Sequence, residues 1–324
     1  MSSHPRSSRP ARSIRRLIAL AAAITGSVSC GGGRVPLPQL STSTVGDTAG
    51  LVQRGEYLVR NVSVCGHCHA ANPRNPDGPL AGGLPFRNWR LGTIHAANLT
   101  PDVETGIGGW SEAEIVRAIR NGNDREGHLL APVMPYEWLA GLSDRDALAM
   151  AAYLKSQPPV PRRFKNRPVL VLHLAKALFL HPARTESPTS PPRGPTVEYG
   201  RYLADHVALC ADCHTPRGGL QQKADKHRLY AGDATPPKAF PANPSNLTPD
   251  METGIGRWSE DDFLRTLRTG VNPRGDRLHP FMPWREYRRM TDDDLRAIYR
   301  YLHSLQPIRN PVPRRPPPAP APTG

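Results

Sequence analysis

The chain repeats itself, and the repeat sets what it can fold into. Gly55-Glu-Tyr57-Leu58 returns as Gly200-Arg-Tyr202-Leu203. Asn98-Leu-Thr-Pro-Asp102 through Trp110-Ser111-Glu112 returns as Asn246-Leu-Thr-Pro-Asp250 through Trp258-Ser259-Glu260. Pro132-Val-Met134-Pro135 returns as Pro280-Phe-Met282-Pro283, and Ser143 to Pro159 as Thr291 to Pro307. From Asn98 onward the halves run in step without a gap, at an offset of 148. Cys65 and Cys210 are 145 apart, so the intervening loop differs by three residues. A long fixed period marks a structural unit used twice. Each unit is about 110 residues, an ordinary domain size, and 324 residues suit two of them.

Within each half the signals are helical. Ser111-Glu-Ala-Glu114 and Ser259-Glu-Asp-Asp262 read as capping-box starts. Each is followed by apolar residues at helical spacing: Ile115, Val116 and Ile119, then Phe263, Leu264 and Leu267. Ser143 and Thr291 open a last helix with acidic first turns, which suit the positive end of the helix dipole. Tyr57 and Tyr202, with their glycines, are expected to pack the first helix on the last. No window alternates strictly as a strand would. The expected fold is all-α, two tandem domains with long loops, spanning 48–160 and 196–308. Between them, 161–195 reads as a linker whose Val169 to Leu180 forms an amphipathic helix across the domain junction. The proline-rich 309–324 reads as a disordered tail.

The N-terminus reads as an export leader over 1–29: basic residues, a short apolar run, then small residues before Cys30. The run is too short to span a bilayer. Cys30 opens a flexible stretch, 30–47, and is the odd one of five cysteines. Its setting is similar to a bacterial lipoprotein signal, which makes it the expected lipidated N-terminus. Ser27 stands where that signal usually has Leu, Val or Ile, and ordinary cleavage nearby is the other reading.

The other four cysteines carry the chemistry, in Cys65-Gly-His-Cys68-His69 and Cys210-Ala-Asp-Cys213-His214. Two thiols one helical turn apart reach the two vinyl groups of a haem edge, and the adjacent histidine then faces the iron. A dithiol redox site would call for a βαβ pattern, and a zinc site for a second ligand pair; neither recurs. Export agrees, because c-type haem is attached outside the cytoplasm. The sequence therefore implies two covalent haems c, with His69 and His214 as proximal ligands. Each imidazole should donate its other N–H to a backbone carbonyl, which the sequence does not name.

Nine residues are candidates for the distal ligand: Met134, Met150, His95 and His128 in the first half, and Met251, Met282, Met290, His227 and His279 in the second. A ligand needed in both halves should recur in register. Met150 meets Ile298, Met290 meets Leu142, Met251 meets Val103, His95 meets Asn243, His128 meets Asp276 and His279 meets Ala131. Only Met134 meets a methionine, Met282, and flanking prolines stiffen both loops. Histidine–methionine ligation leaves no open coordination position and raises the potential, which points to electron transfer. Trp110 and Trp258 stand open between two readings, an indole bond to a haem propionate and simple packing. Arg87 and Arg90 are weaker propionate candidates.

These residues resemble class I cytochromes c, specifically tandem cytochromes like the haem subunits of bacterial membrane-bound alcohol, aldehyde and sugar-acid dehydrogenases. The likeness covers Thr48 to Ile308. It implies a periplasmic carrier that takes electrons from a partner dehydrogenase and passes them to a quinone or a respiratory oxidase. Those subunits usually carry three haem motifs, and here there are two, which puts the particular partner in doubt. The formal net charge of +14 includes five leader arginines, and haem propionates would offset more of it. The dispersed arginines and the lack of a groove-reading motif argue against a nucleic-acid partner. The competing functions are a dihaem peroxidase, which needs a displaceable ligand, and a haem sensor, which would normally bring a signalling domain.

Overall fold

The computed structural model describes residues 36–38, 40, 48–183, 188–218, 223–236 and 241–313. Cys30 and the leader lie outside the described residues, as do 314–324 of the tail. Helices dominate and recur in the same order. The first half contains α1 (Thr48–Tyr57), α2 (Gly66–His69), α3 (Glu112–Asn121), α4 (Tyr136–Leu139) and α5 (Asp144–Ser156). After α6 (Leu170–Leu178) come α7 (Val197–Tyr202), α8 (Cys210–His214), α9 (Glu260–Thr269), α10 (Trp284–Tyr287) and α11 (Asp292–Ser304).

The first helix of each half crosses the last at a glycine. A Cβ on Gly55 would lie 1.9 Å from the Ala149 carbonyl oxygen, and one on Gly200 would lie 1.9 Å from that of Ala297. Only a residue without a side chain allows so close a crossing. The capping boxes form as expected: the Ser111 hydroxyl accepts from the Glu114 N–H, while Glu114 accepts from the Ser111 N–H at 2.8 Å. Ser259 and Asp262 repeat the arrangement in α9. Leu58, Val62, Met150, Leu203, Leu295 and Leu302 are almost fully buried between these helices.

Three expectations need correction. Short strands exist where none was expected. β1 (Pro85–Asn88) and β2 (Gly92–His95) form an antiparallel hairpin, which β3 (Arg167–Pro168) extends, and β4 (Arg217–Gly218) pairs with β5 (Lys223–Ala224). Strands this short leave no alternation to read. The β1–β2 hairpin is set instead by a turn in which the Asn88 side chain accepts from the Arg90 and Leu91 N–H groups, both at 2.9 Å.

The second refines the placement of α6, whose segment bonds to the first half. Lys176 donates to the Leu129 carbonyl at 2.5 Å, and Asn121 donates to that of Ala183 at 2.7 Å, so the segment is held by the first half. Leu172 is buried, but Leu170, Leu174, Leu178 and Phe179 are exposed.

The third concerns the tyrosines. Their hydroxyls clasp the opposite half instead of only packing their own. Tyr57 donates to Asp294 at 2.6 Å, and Tyr202 donates to Asp146 at 2.8 Å. The main-chain N–H groups of Thr291 and Ser143 donate back to the same hydroxyls. Each pair joins equivalent positions, so the halves meet about a pseudo-twofold axis.

Candidate functional site

Each CxxCH helix is launched the same way. Leu58–Val62 and Leu203–Val207 are π-helical, with the Ser63 and Ala208 N–H groups donating back to Leu58 and Leu203, both at 2.7 Å. The next residues, Val64 (φ 45°) and Leu209 (φ 57°), are left-handed. Such a conformation costs a bulky residue about 1–3 kcal/mol, and strain of this kind collects at functional sites. Here it turns the chain into the helix that begins at the first thiol. Valine and leucine give no sequence signal for this.

The four cysteines are half-buried and free, with neither CxxC pair closed as a disulfide. Burial pushes the Cys65, Cys210 and Cys213 thiols up to about 12 and raises Cys68 as well. A redox-active dithiol has a lowered pKa, so this pocket does not prepare thiolates for disulfide exchange. His69 and His214 are held neutral by burial, which lowers both pKa values. The His69 Nδ1 donates to the Ala97 carbonyl at 2.8 Å, and the His214 Nδ1 to that of Ser245 at 2.7 Å. A carbonyl only accepts, so Nδ1 carries the proton and Nε2 keeps the lone pair that a metal takes. Ala97 and Ser245 are equivalent positions, each immediately before an Asn-Leu-Thr-Pro segment.

That segment is a clamp. Asn98 accepts from the Thr100 N–H and hydroxyl at 3.0 and 2.7 Å and donates to the Val160 carbonyl at 2.8 Å. Asn246 repeats this with Thr248 and the Ile308 carbonyl. The loop bearing the imidazole's acceptor is thereby tied to the chain leaving the last helix. Gly106 and Gly254 complete the turn, since a Cβ on either would lie 2.1 Å from a threonine carbonyl oxygen.

Met134 and Met282 sit in matching turns. Their N–H groups donate to Ala131 and His279, and their carbonyls accept from Tyr136 and Trp284. Both side chains are half-buried against the core that also receives Cys65, Cys210, Trp110 and Trp258. The competing methionines have other settings: Met150 and Met290 are buried in helix packing, and Met251 is 58% exposed. His128 is exposed beside Asp124 and Glu126, while His95 stacks on Phe164. The Trp110 and Trp258 carbonyls accept from Lys155 and Tyr299. Arg87 and Arg90 lie on the β1–β2 hairpin, with Arg90 over the exposed Trp89 ring.

The two CxxCH helices face the opposite half. His67, inside the first motif, lies 3.1 Å from Glu286 on α10. Asp212, inside the second, accepts from the Trp138 indole on α4 and pairs with Arg217. Such a donor set, with four unpaired thiols and two neutral imidazoles fixed through Nδ1, fits covalently attached haem.

A family model described as Cytochrome c matches residues 197–306. The chain is 36% identical over 270 residues to the gluconate 2-dehydrogenase cytochrome c subunit of Pantoea cypripedii, covering 79% of this chain and 59% of that one. It is 34% identical over 275 residues to the alcohol dehydrogenase (quinone) cytochrome c subunit of Gluconobacter oxydans (strain 621H), covering 80% and 55%. A diheme cytochrome c-type protein of Cereibacter sphaeroides is 30% identical over 281 residues, covering 84% of this chain and 90% of the relative. The chain belongs to the cytochrome c family, whose members transfer electrons on haem c. It spans little more than half the length of these two dehydrogenase cytochrome c subunits.

Proposed function

We propose that this chain is a dihaem electron carrier built from two tandem cytochrome c domains, 48–160 and 196–308. One haem is attached through Cys65 and Cys68 and the other through Cys210 and Cys213. His69 and Met134 would hold the iron in the first domain, and His214 and Met282 that in the second. The observation that carries this is recurrence. In both halves an imidazole with its Nδ1 tied to a carbonyl accompanies a methionine in a Pro-x-Met-Pro turn.

Haem c supplies a one-electron Fe(III)/Fe(II) couple when bound. The residues do the rest. The Ala97 and Ser245 carbonyls orient the proximal rings, the Asn98 and Asn246 clamps hold those carbonyls, and the flanking prolines hold the thioethers. Trp110 and Trp258 are assigned to propionate contacts. A closed ligand set favours outer-sphere electron transfer over substrate chemistry.

The donor is a dehydrogenase subunit, by analogy with the gluconate and alcohol dehydrogenase relatives. The acceptor is a quinone or a respiratory oxidase, on the bacterial periplasmic face. Lipidated Cys30 supplies the membrane tether. Among the described residues no helix is long and apolar enough to cross a membrane.

The test is a pyridine haemochrome assay, expected to give two haems per chain, together with cyanide binding. Slow or absent cyanide binding at both haems supports closed sites. Rapid binding at one would replace this reading with the peroxidase one.

A further inference from the structure

Position for position, the two π-helical turns that precede the haem motifs carry opposite charges at one place, beside a change of Asn61 to His206. Arg60 in the first half stands where Asp205 stands in the second, five residues before the first cysteine of each motif. Each faces the equivalent tyrosine of its own half's last helix. The Arg60 Nε donates to the Tyr153 hydroxyl at 2.8 Å, and the Tyr301 hydroxyl donates to Asp205 at 3.2 Å. The site is one frame holding opposite charges.

Both charges have only exposed counter-charges, Arg60 the Asp77 carboxylate and Asp205 the Arg201 guanidinium. Among the described residues the Arg60 hydrogen bonds end on neutral oxygens, those of Tyr153, Pro76, Gly78 and Gln157. Nearby Asp77 is engaged by Arg289 at 2.8 Å. Asp205 is 8% exposed and accepts from Tyr230 and Tyr301. Its cationic neighbour Arg201 is 3.5 Å away but 72% exposed, so water screens it. Inside the motifs themselves, His67 lies beside Glu286 and Asp212 pairs with Arg217. The charges of Arg60 and Asp205 reach the attachment atoms. Burial dominates both thiols, but Arg60 pulls the Cys65 thiol down while Asp205 pushes the Cys210 thiol further up.

We infer that Arg60 and Asp205 are positioning residues that split the two haem potentials, making the haem at Cys210–His214 the lower and the haem at Cys65–His69 the higher. Net charge near a cofactor sets its potential, because the oxidised iron centre carries one more positive charge than the reduced. A carboxylate favours the ferric form and a guanidinium the ferrous form. At an effective dielectric of about 20, a unit charge on the order of 10 Å away is worth roughly tenfold in such an equilibrium. Electrons then run downhill from the second half to the first, which makes the second half the entry side. This inference rests on the dihaem reading above.

The experiment is a spectroelectrochemical titration of the full-length holoprotein, preceded by the haemochrome count. The wild type should resolve two one-electron steps. Asp205→Asn should raise the lower step by about a tenfold shift in the oxidised-to-reduced ratio, ~59 mV for one electron. Arg60→Gln should lower the upper step by a similar amount, closing the gap from the other side. The charge-keeping variants Asp205→Glu and Arg60→Lys should leave both steps where they were, which a purely structural role would not predict. With two haems counted, unmoved steps in Asp205→Asn and Arg60→Gln, or movement of the opposite step, would overturn the inference. A count below two would overturn the dihaem reading on which it stands.

Discussion

The two halves keep one frame around the haem motifs and spend their differences at its edges. In both, a π-helical turn and a left-handed residue lead into the motif, a carbonyl before Asn-Leu-Thr-Pro holds the motif imidazole, and a glycine seats the first helix on the last. At the pseudo-twofold axis the identities part. Arg54 and Tyr199 occupy equivalent positions and meet each other, the Arg54 Nη2 donating to the Tyr199 hydroxyl at 3.3 Å. Arg54 also grips Asp146 through two bonds, at 2.9 and 3.0 Å. Asp294, the counterpart of Asp146, has no such bonds from Arg54 and is held by Tyr57. The first half also carries α6, where Leu170, Val171, Leu174 and Leu178 are exposed, and among the described residues no helix follows α11. Duplication therefore preserved the geometry that a cofactor fixes and left charge and surface free to diverge.

The largest effects test whether each motif serves its own haem. Cys65→Ala with Cys68→Ala should leave one covalent haem per chain, as should Cys210→Ala with Cys213→Ala, read by haem staining on a denaturing gel. Unequal losses would break the equivalence of the halves. Met134→Ala and Met282→Ala should each abolish one thioether-to-iron charge-transfer band. Each should also lower one potential by about 100 mV or more, well inside the ~0.8 V range that axial ligands command. If both bands survive either change, the distal assignment is wrong.

Smaller effects sharpen the contrast at the axis. Asp146→Asn strands the buried Arg54 guanidinium and should cost about 3–5 kcal/mol by denaturant unfolding. Burial alone would raise the Asp146 carboxyl, but the Arg54 bonds and charge outweigh it and hold it below the usual range. Its stabilisation is therefore full above the ordinary Asp pKa and fades as pH falls through the lowered value, so the variant should lose that acid limb. Gly55→Ala and Gly200→Ala should each cost about 1–3 kcal/mol or more by overpacking, and by similar amounts. A twofold disparity would mean that one crossing yields more readily than the other.

Asp294→Asn should be mildest, about 1 kcal/mol for a neutral hydrogen bond. Burial raises the Asp294 carboxyl, with the Tyr57 bond only partly opposing it. Its ionisation thus costs stability as pH climbs through the carboxylate range. The pH profile of this variant should diverge from wild type in the opposite sense to that of Asp146→Asn. Matching profiles would remove the asymmetry assigned to Arg54.

Much of the frame was legible because it is local or repeated. Capping boxes need residues three apart, and the methionines emerged once the halves were aligned. The α6 helix was legible as an element but not in its placement, since an apolar stripe does not say whether anything covers it. The hairpin was missed because turn bonds from Asn88 set it, not strand alternation. The π-helical turns were missed because Val64 and Leu209 are poor left-handed residues, and only the surrounding packing holds them there.

By itself, then, the sequence determined the duplication, the two CxxCH motifs and the helical order, all carried by short-range spacing. Tertiary structure alone decided which carbonyls hold the rings, how the tyrosines clasp the opposite half, and that Arg60 and Asp205 bond to Tyr153 and Tyr301. Those pairings join residues up to 237 positions apart, as Tyr57 and Asp294 are. No local propensity encodes a partner at that distance. Only burial, which requires polar groups to find bonds wherever the packing places them, selects it.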